Sequence, residues 1–248
     1  MAILVTRPQP DNEATAAALR TKGHGVLLAP MLRFEPVAFH DDADARYGAA
    51  IVSSANALRA IESELAAGHL LKLPLFAVGK RTADAARRAG FRDVSVADGN
   101  AAALRDLIVA SVRAKTLKKS STLIYLAGAD LAGDLAGELG ERGFSVVTHT
   151  TYRMIPVSSL PQAACEAFAA NTIEAVLHYS RRSARAFLDA ARGAGVEISA
   201  LSVPQCCISD AVASILRDVG APRVLVARTP DENGLFEAMD RALAALSR

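Results

Sequence analysis

At 248 residues and 51% apolar, the chain is long enough for two ordinary domains or one large one, with ample material for cores. Its 28 basic and 26 acidic residues are intermixed, the formal charge is +2, and no Trp and four Tyr leave few stacking platforms, which together exclude a typical nucleic-acid binder. No apolar run approaches the roughly eighteen residues of a membrane span, and MAILVTRPQP has neither a basic start nor a cleavage-site pattern, so a soluble protein without leader or anchor is expected.

In chain order, ILVTR (3–7) reads as a strand, DNEATAAALRTKG as a helix and GVLLAP (25–30) as a second strand. After MLRFEPV come the strand AAIVSS (49–54), the helical ANALRAIESELAAG, the strand LPLFAV (73–78), the helical KRTADAARRAG and the strand VSVA (94–97). The strands TLIYLA (122–127) and SVVTHTTY (145–152) lead into TYRMIPV. AVLHYS (175–180), the helical RRSARAFLDAARGAG, PQCCIS (204–209), the helical DAVASILRDVG and RVLVA (223–227) complete the series. The helical patterns end at Gly. Strand and helix in alternation predict parallel sheets with right-handed crossovers.

The chain also repeats itself. IVSSANALRAI resembles LHYSRRSARAFL, AVGKRTADAARRAGF resembles CISDAVASILRDVGA, and VADGNAAALRDLI resembles VARTPDENGLFEAM, in the same order. The opening unit ILVTR…LRTKGHGVLLAPMLRF has its counterpart in LIYLAG…LGERGFSVVTHTTYRM, which follows one set of three where the opening unit precedes it. That offset predicts two similar α/β domains: residues 1–34 joined with 156–248, and 35–155 inserted between them. MLRFEPV and TYRMIPV would be the two crossings, each with an Arg (Arg33, Arg153) and a Pro that keeps the segment extended. Two such connectors side by side would make a hinge with a cleft beside it.

The three cysteines, Cys165, Cys206 and Cys207, form neither a disulfide framework nor a zinc pattern and point to a reduced, cytoplasmic protein. Cys206 and Cys207 read as core residues. The basic run KTLKK (115–119) reads as a solvated loop, and Asp41/Asp42 as a solvated pair. The five histidines, His24, His40, His69, His149 and His178, lack metal-ligand spacing, and no dinucleotide fingerprint, Walker loop, nucleophile elbow or zincin motif occurs. What remains is a set of strand-to-helix corners: Ser53/Ser54, Gly79-Lys80-Arg81-Thr82, Gly99-Asn100, Gly128-Ala129-Asp130, Ser180-Arg181-Arg182-Ser183 and Ser209-Asp210. Corners at the carboxyl ends of parallel strands line binding faces, because backbone N–H groups and helix dipoles converge there. Small residues, hydroxyls and cations at these corners suit a large ligand with many anionic groups. At Ser53/Ser54 a simple helix cap explains the same residues.

ILVTRPQ, LAPML, IVSSANAL, FAVGKRTADAARRAGF, DGNAAAL, Leu126-Ala127-Gly128, the TTY of the second crossing, HYSRRSA and SILRDVG form an ordered set that resembles the uroporphyrinogen-III synthase family over essentially the whole chain. The resemblance implies two doubly wound parallel-sheet domains joined by a two-stranded connector, one of them discontinuous in sequence. It also implies cyclisation of hydroxymethylbilane with inversion of the last pyrrole ring, giving uroporphyrinogen III and water without cofactor or metal. Such enzymes usually work as monomers, with a transient contact with hydroxymethylbilane synthase left open. In this family Ser53 and Ser54 match a hydroxyl pair near the substrate's carboxylates, Ser180 a cleft serine, and Thr82 the threonine after the valine-glycine pair. Tyr152 matches the tyrosine proposed to assist departure of the hydroxyl, a phenol being protonated at neutral pH; packing of a connector tyrosine is the competing role.

With the corner residues Gly79, Lys80, Arg81, Gly128, Arg181, Arg182 and Ser209, these make up the expected binding set. The late corner Ile208–Ala213 departs from the family's I-G-x-x-T-A, and the Gly128 corner lacks an Arg that many members carry. Asp210, a carboxylate on the binding side, is expected to be a helix cap that points away. A non-catalytic two-domain anion-binding or regulatory homologue is the alternative reading.

Overall fold

Because parallel strands are covered on both faces, they are continuously apolar, and the short runs of this chain pack accordingly. The structure is a computed structural model that describes residues 1–40, 45–131 and 133–246; Asp41/Asp42 lie outside them. The chain divides into two compact units, Met1–Phe34 with Ile155–Arg248, and Glu35–Met154.

The first unit begins with β1 (Ala2–Val5), α1 (Asp11–Thr21) and β2 (Gly25–Leu28) and leaves through β3 (Leu32–Pro36). The second contains β4 (Tyr47–Val52), α2 (Ala55–Ala60), α3 (Glu62–Ala67), β5 (Leu75–Val78), α4 (Gly79–Ala89), β6 (Val94–Ala97), α5 (Ala101–Arg113), β7 (Thr122–Gly128) and α6 (Leu135–Gly140). The long β8 (Ser145–Pro156) leads back to α7 (Gln162–Ala169), β9 (Ile173–His178), α8 (Arg181–Gly193), α9 (Glu197–Ser202), β10 (Gln205–Cys207), α10 (Asp210–Asp218), β11 (Val224–Val226) and α11 (Glu232–Leu246).

The first unit's sheet has the order β11-β10-β9-β1-β2, with every neighbouring pair parallel. The second unit's sheet runs β3-β8-β7-β4-β5-β6, parallel from β8 to β6. Strand for strand the orders coincide, β7 and β8 standing where β1 and β2 stand, which is the sequence repeat made visible. MLRFEPV is more than a connector: within it β3 pairs with β8, Val37 N–H donating to Thr151 O and Val157 N–H to Met31 O, an antiparallel register.

Each sheet is covered on both faces. In the first unit Leu4, Val176, Phe168, Phe187 and Leu216 pack on one side, and Ile3, Val5, Leu19, Phe236 and Met239 on the other. In the second, Val52, Ile124, Leu126, Leu58, Leu65 and Phe91 form one core, and Ile51, Leu123, Tyr125, Leu104, Ile108 and Leu139 the other. Truncating a fully buried ring such as Phe187 costs roughly 3–5 kcal/mol. Cys206 and Cys207 sit in these cores, and burial pushes both thiols up to about 12, where they are inert.

Two expectations change. The continuous helix read over ANALRAIESELAAG breaks at Ile61 (φ −121°, ψ 27°), a fully buried residue whose turn lets Leu58 and Leu65 reach the same core. Several strands also end earlier than their apolar runs: Thr6/Arg7, Ser53/Ser54, Tyr179/Ser180 and Ile208/Ser209 lie past the last strand residue. Ser54 and Ser180 have left the ladder to cap helices.

Candidate active site

In each sheet the strand order reverses direction once, between β4 and β7 and between β1 and β9. Ligands of open parallel sheets bind outside the carboxyl ends of the strands at such a point.

In the second unit, Ser53 and Ser54 follow the last residue of β4, and the structure splits the pair. Ser54 is the N-cap of α2, its Oγ accepting from Asn56 N–H at 3.3 Å. Ser53 instead places its Oγ 2.8 Å from the hydroxyl of Tyr125, which reaches over from β7. Burial pushes the Tyr125 phenol up, the Ser53 hydrogen bond opposes this, and the neighbouring Tyr152 phenol adds to the rise, so Tyr125 keeps its proton at neutral pH.

Tyr152 of β8 lies opposite Gly128, the last residue of β7, just past a register shift. It is half-buried and packs on the core face of Val52, Ile124 and Leu126. On the far side of β4, Gly79 takes φ +72°, a left-handed conformation suited to glycine, and turns β5 into α4. Lys80 and Arg81 are exposed, whereas Thr82 is only 7% exposed and faces inward. No acidic residue stands in the first turn of α4, so helix dipole and side chains have the same positive sign. Ser53, Ser54, Gly79, Lys80, Arg81, Thr82, Gly128 and Tyr152 therefore share one sheet edge.

In the first unit, Ser180 caps α8, accepting from Ser183 N–H at 3.1 Å. Arg181 is exposed and Arg182 half-buried in the first turn. Ser209 precedes α10 but makes no side-chain cap bond. Asp210 is not the cap either: it is the exposed first residue of α10, its carboxylate accepting from Arg217 at 3.3 Å. An early helical carboxylate is favoured by the dipole and is neutralised further by that guanidinium.

Two features of these edges carry little local signal in the sequence. Tyr125 reads as one more apolar residue of LIYLA, although a tyrosine in a buried aliphatic strand needs a partner for its hydroxyl. At the β1–β9 switch point Arg7 lies over the Tyr179 ring, 4.8 Å from its centroid, and reaches Glu232 at 2.9 Å, Thr15 Oγ1 at 3.3 Å and Asp11 at 3.4 Å. Thr15 also donates to Glu232, and burial pushes the Tyr179 phenol up. Arg7 and Glu232 are 225 positions apart, so no local pattern signals their pairing.

Among the described residues no three or more His, Cys, Asp or Glu come together as a metal site, and no helix is long and apolar enough to cross a membrane. A groove of about 360 Å³, lined by Val109, Val112, Arg113, Lys119, Arg142 and Phe144, lies at the amino ends of β7 and β8, the wrong edge for a parallel-sheet site.

No curated protein sequence matches the chain. The family described as "Uroporphyrinogen-III synthase HemD" matches residues 13–237. A mutant uroporphyrinogen III synthase from the extremely thermophilic bacterium Thermus thermophilus is similar in structure, with TM-score 0.59, 19% identity, and coverage of 99% of this chain and 100% of that one. Uroporphyrinogen-III synthetase from Helicobacter pylori is similar with TM-score 0.64, 17% identity, and coverage of 100% and 99%. At such identities the likeness to the two structures is one of fold.

Proposed function

The chain belongs to the uroporphyrinogen-III synthase family, and from that premise we propose that it closes hydroxymethylbilane to uroporphyrinogen III, inverting the terminal pyrrole ring and releasing water. Membership makes it a lyase of porphyrin biosynthesis. The observation that carries the finer reading is that two pairs, Ser53 with Tyr125 and Gly128 with Tyr152, stand on opposite faces of one sheet edge beside its switch point.

In this reading the two units are the functional domains, and their corners grip the substrate's carboxylates. Ser53, Ser54 and the Gly79–Thr82 turn serve in one unit, Ser180 to Arg182 and Ser209 in the other. Backbone N–H groups at the helix starts and the cations Lys80, Arg81, Arg181 and Arg182 suit an octa-acid. The bilane loses hydroxide and cyclises unaided to the uninverted isomer, so the enzyme's task is orientation. The hydroxymethyl C–O bond breaks with the oxygen leaving as water. The resulting electrophilic methylene then bonds the ring carbon that already carries the neighbouring bridge. The old bond from that carbon to its bridge breaks, the freed bridge rebonds at the ring's unsubstituted carbon, and that carbon loses its proton, balancing the one that left with the hydroxyl as water. Holding that geometry is worth roughly 7–11 kcal/mol. A phenol O–H at Tyr152, donated to the departing oxygen, adds a factor on the order of a hundred to ten thousand.

A coupled assay with freshly generated hydroxymethylbilane, its products separated by chromatography, tests the reading. Faster consumption with mainly the inverted isomer is expected. Tight binding of the bilane without acceleration would favour a non-catalytic anion-binding homologue.

A further inference from the structure

Tyr125 and Ser53 meet because of register. Ile51 of β4 pairs with Tyr125 of β7, and Ser53, two residues beyond Ile51, stands on the same face one step closer to the edge. The Tyr125 ring is 4% exposed and lies in the core of Ile51, Leu123 and Leu104, while its hydroxyl sits 2.8 Å from Ser53 Oγ. Among the described residues Ser53 Oγ has no other hydrogen-bond partner.

A pair of hydroxyls holds two protons, and one bond between them uses one. The phenol is the stronger acid and the better donor, so its proton goes to Ser53 Oγ, and the serine O–H is left to point elsewhere. A hydroxyl that accepts such a bond is polarised into a stronger donor. Facing an anion, the chain runs phenol to serine to carboxylate.

The simplest competing explanation is that a buried tyrosine merely needs a partner for its hydroxyl. The other sheet argues against it. There Val5 pairs with Leu177 on the strand pair equivalent to Tyr125 and Ile51, so the same architecture is built with valine at the Tyr125 position. The residue matching Ser53 there is Tyr179, held under Arg7. The fold does not require a phenol at position 125; the serine corner of the second unit uses one.

We infer that Tyr125 is a positioning residue, which holds the Ser53 hydroxyl with its hydrogen directed at a carboxylate of the substrate. The inference rests on the reading of the Ser53 corner as a carboxylate site. Because the bond it supports is made in the bound substrate and in the transition state alike, its loss weakens binding more than turnover.

The experiment is a double-mutant cycle on the whole enzyme, with kcat and KM from the coupled assay and a thermal melt for each variant. Tyr125→Phe keeps the ring in the core. It is expected to raise KM roughly three- to tenfold with kcat within about twofold. Ser53→Ala should raise KM by at least as much, and Tyr125→Phe added to Ser53→Ala should change nothing further. If Ser53→Ala raises KM while Tyr125→Phe leaves it unchanged, or if the two effects add, Tyr125 does not act through Ser53 and the inference falls with the corner reading intact. A Tyr125→Phe effect confined to a lower melting temperature and a proportionate loss of active enzyme also overturns it. An unchanged KM in Ser53→Ala overturns the corner reading, and the inference with it.

Discussion

Gly128 has no side chain because Tyr152 occupies the place where one would be. A Cβ on Gly128 would lie 2.6 Å from Cζ of Tyr152 and 2.8 Å from its hydroxyl oxygen, closer than carbon atoms tolerate. The glycine at the end of β7 is thus a seat for the phenol of β8.

Gly128→Ala should therefore act through Tyr152. The clash is with the far end of a side chain, which can swing, so the fold should survive with its melting temperature within a few degrees of wild type. Displacing the phenol by about an ångström should lower turnover roughly ten- to a hundredfold. Kinetics of Gly128→Ala, Tyr152→Phe and the double variant check this: the double variant should be no slower than the slower single. Full activity in Gly128→Ala would remove the phenol's position from the account.

The cations at the helix starts predict a different kinetic pattern. At least one alanine substitution among Lys80, Arg81, Arg181 and Arg182 should raise KM while leaving kcat largely intact, since charge attraction to carboxylates is shared by ground and transition states. The wild-type KM should also rise with ionic strength, because exposed charges are screened within about 8–10 Å at physiological salt. Four single variants with wild-type constants would leave the backbone amides as the whole grip.

His178 makes stability depend on pH. It is fully buried, and burial lowers its pKa to about 4 from the ordinary 6.5, only partly opposed by its bond to Gln205. Gln205 Nε2 donates to Ala200 O at 2.7 Å and Val203 O at 2.8 Å, so its Oε1, 2.9 Å away, accepts from His178 Nε2, which fixes the neutral tautomer. The unfolded chain binds a proton here more readily than the folded one between these two values. The stabilising contribution is thus complete above about pH 6.5 and is lost as pH falls toward 4, by on the order of 2–3 kcal/mol. Denaturant titrations at pH 7 and 4.5 should show a larger loss for wild type than for His178→Gln. Equal losses would mean that His178 protonates without resistance.

Much of this architecture can be read from the chain. Strands buried on both faces announce themselves as apolar runs, and the repeat of IVSSANAL in HYSRRSA reappears as one strand order built twice. What could not be read depends on contacts distant in sequence. LRFEP carries no strand pattern of its own and becomes β3 because β8 runs beside it. The roles of Ser53 and Ser54 are alike in sequence and are separated only by a tyrosine 72 residues away. Tyr125 hid in an apolar run because its ring is core and only its hydroxyl reaches the edge. The Arg7, Tyr179 and Glu232 network joins both ends of the chain.

If geometry directs ring inversion and Tyr152 only assists departure of the hydroxyl, the ratio of the two uroporphyrinogen isomers formed by wild type and by Tyr152→Phe from freshly generated hydroxymethylbilane separates the two roles. Both proteins should give mainly the inverted isomer, the variant with turnover lower by roughly one to two orders of magnitude. A wild type that yields only the uninverted isomer at the uncatalysed rate would contradict the proposed reaction, and a Tyr152→Phe protein that keeps its rate but loses the inverted isomer would contradict the division of labour.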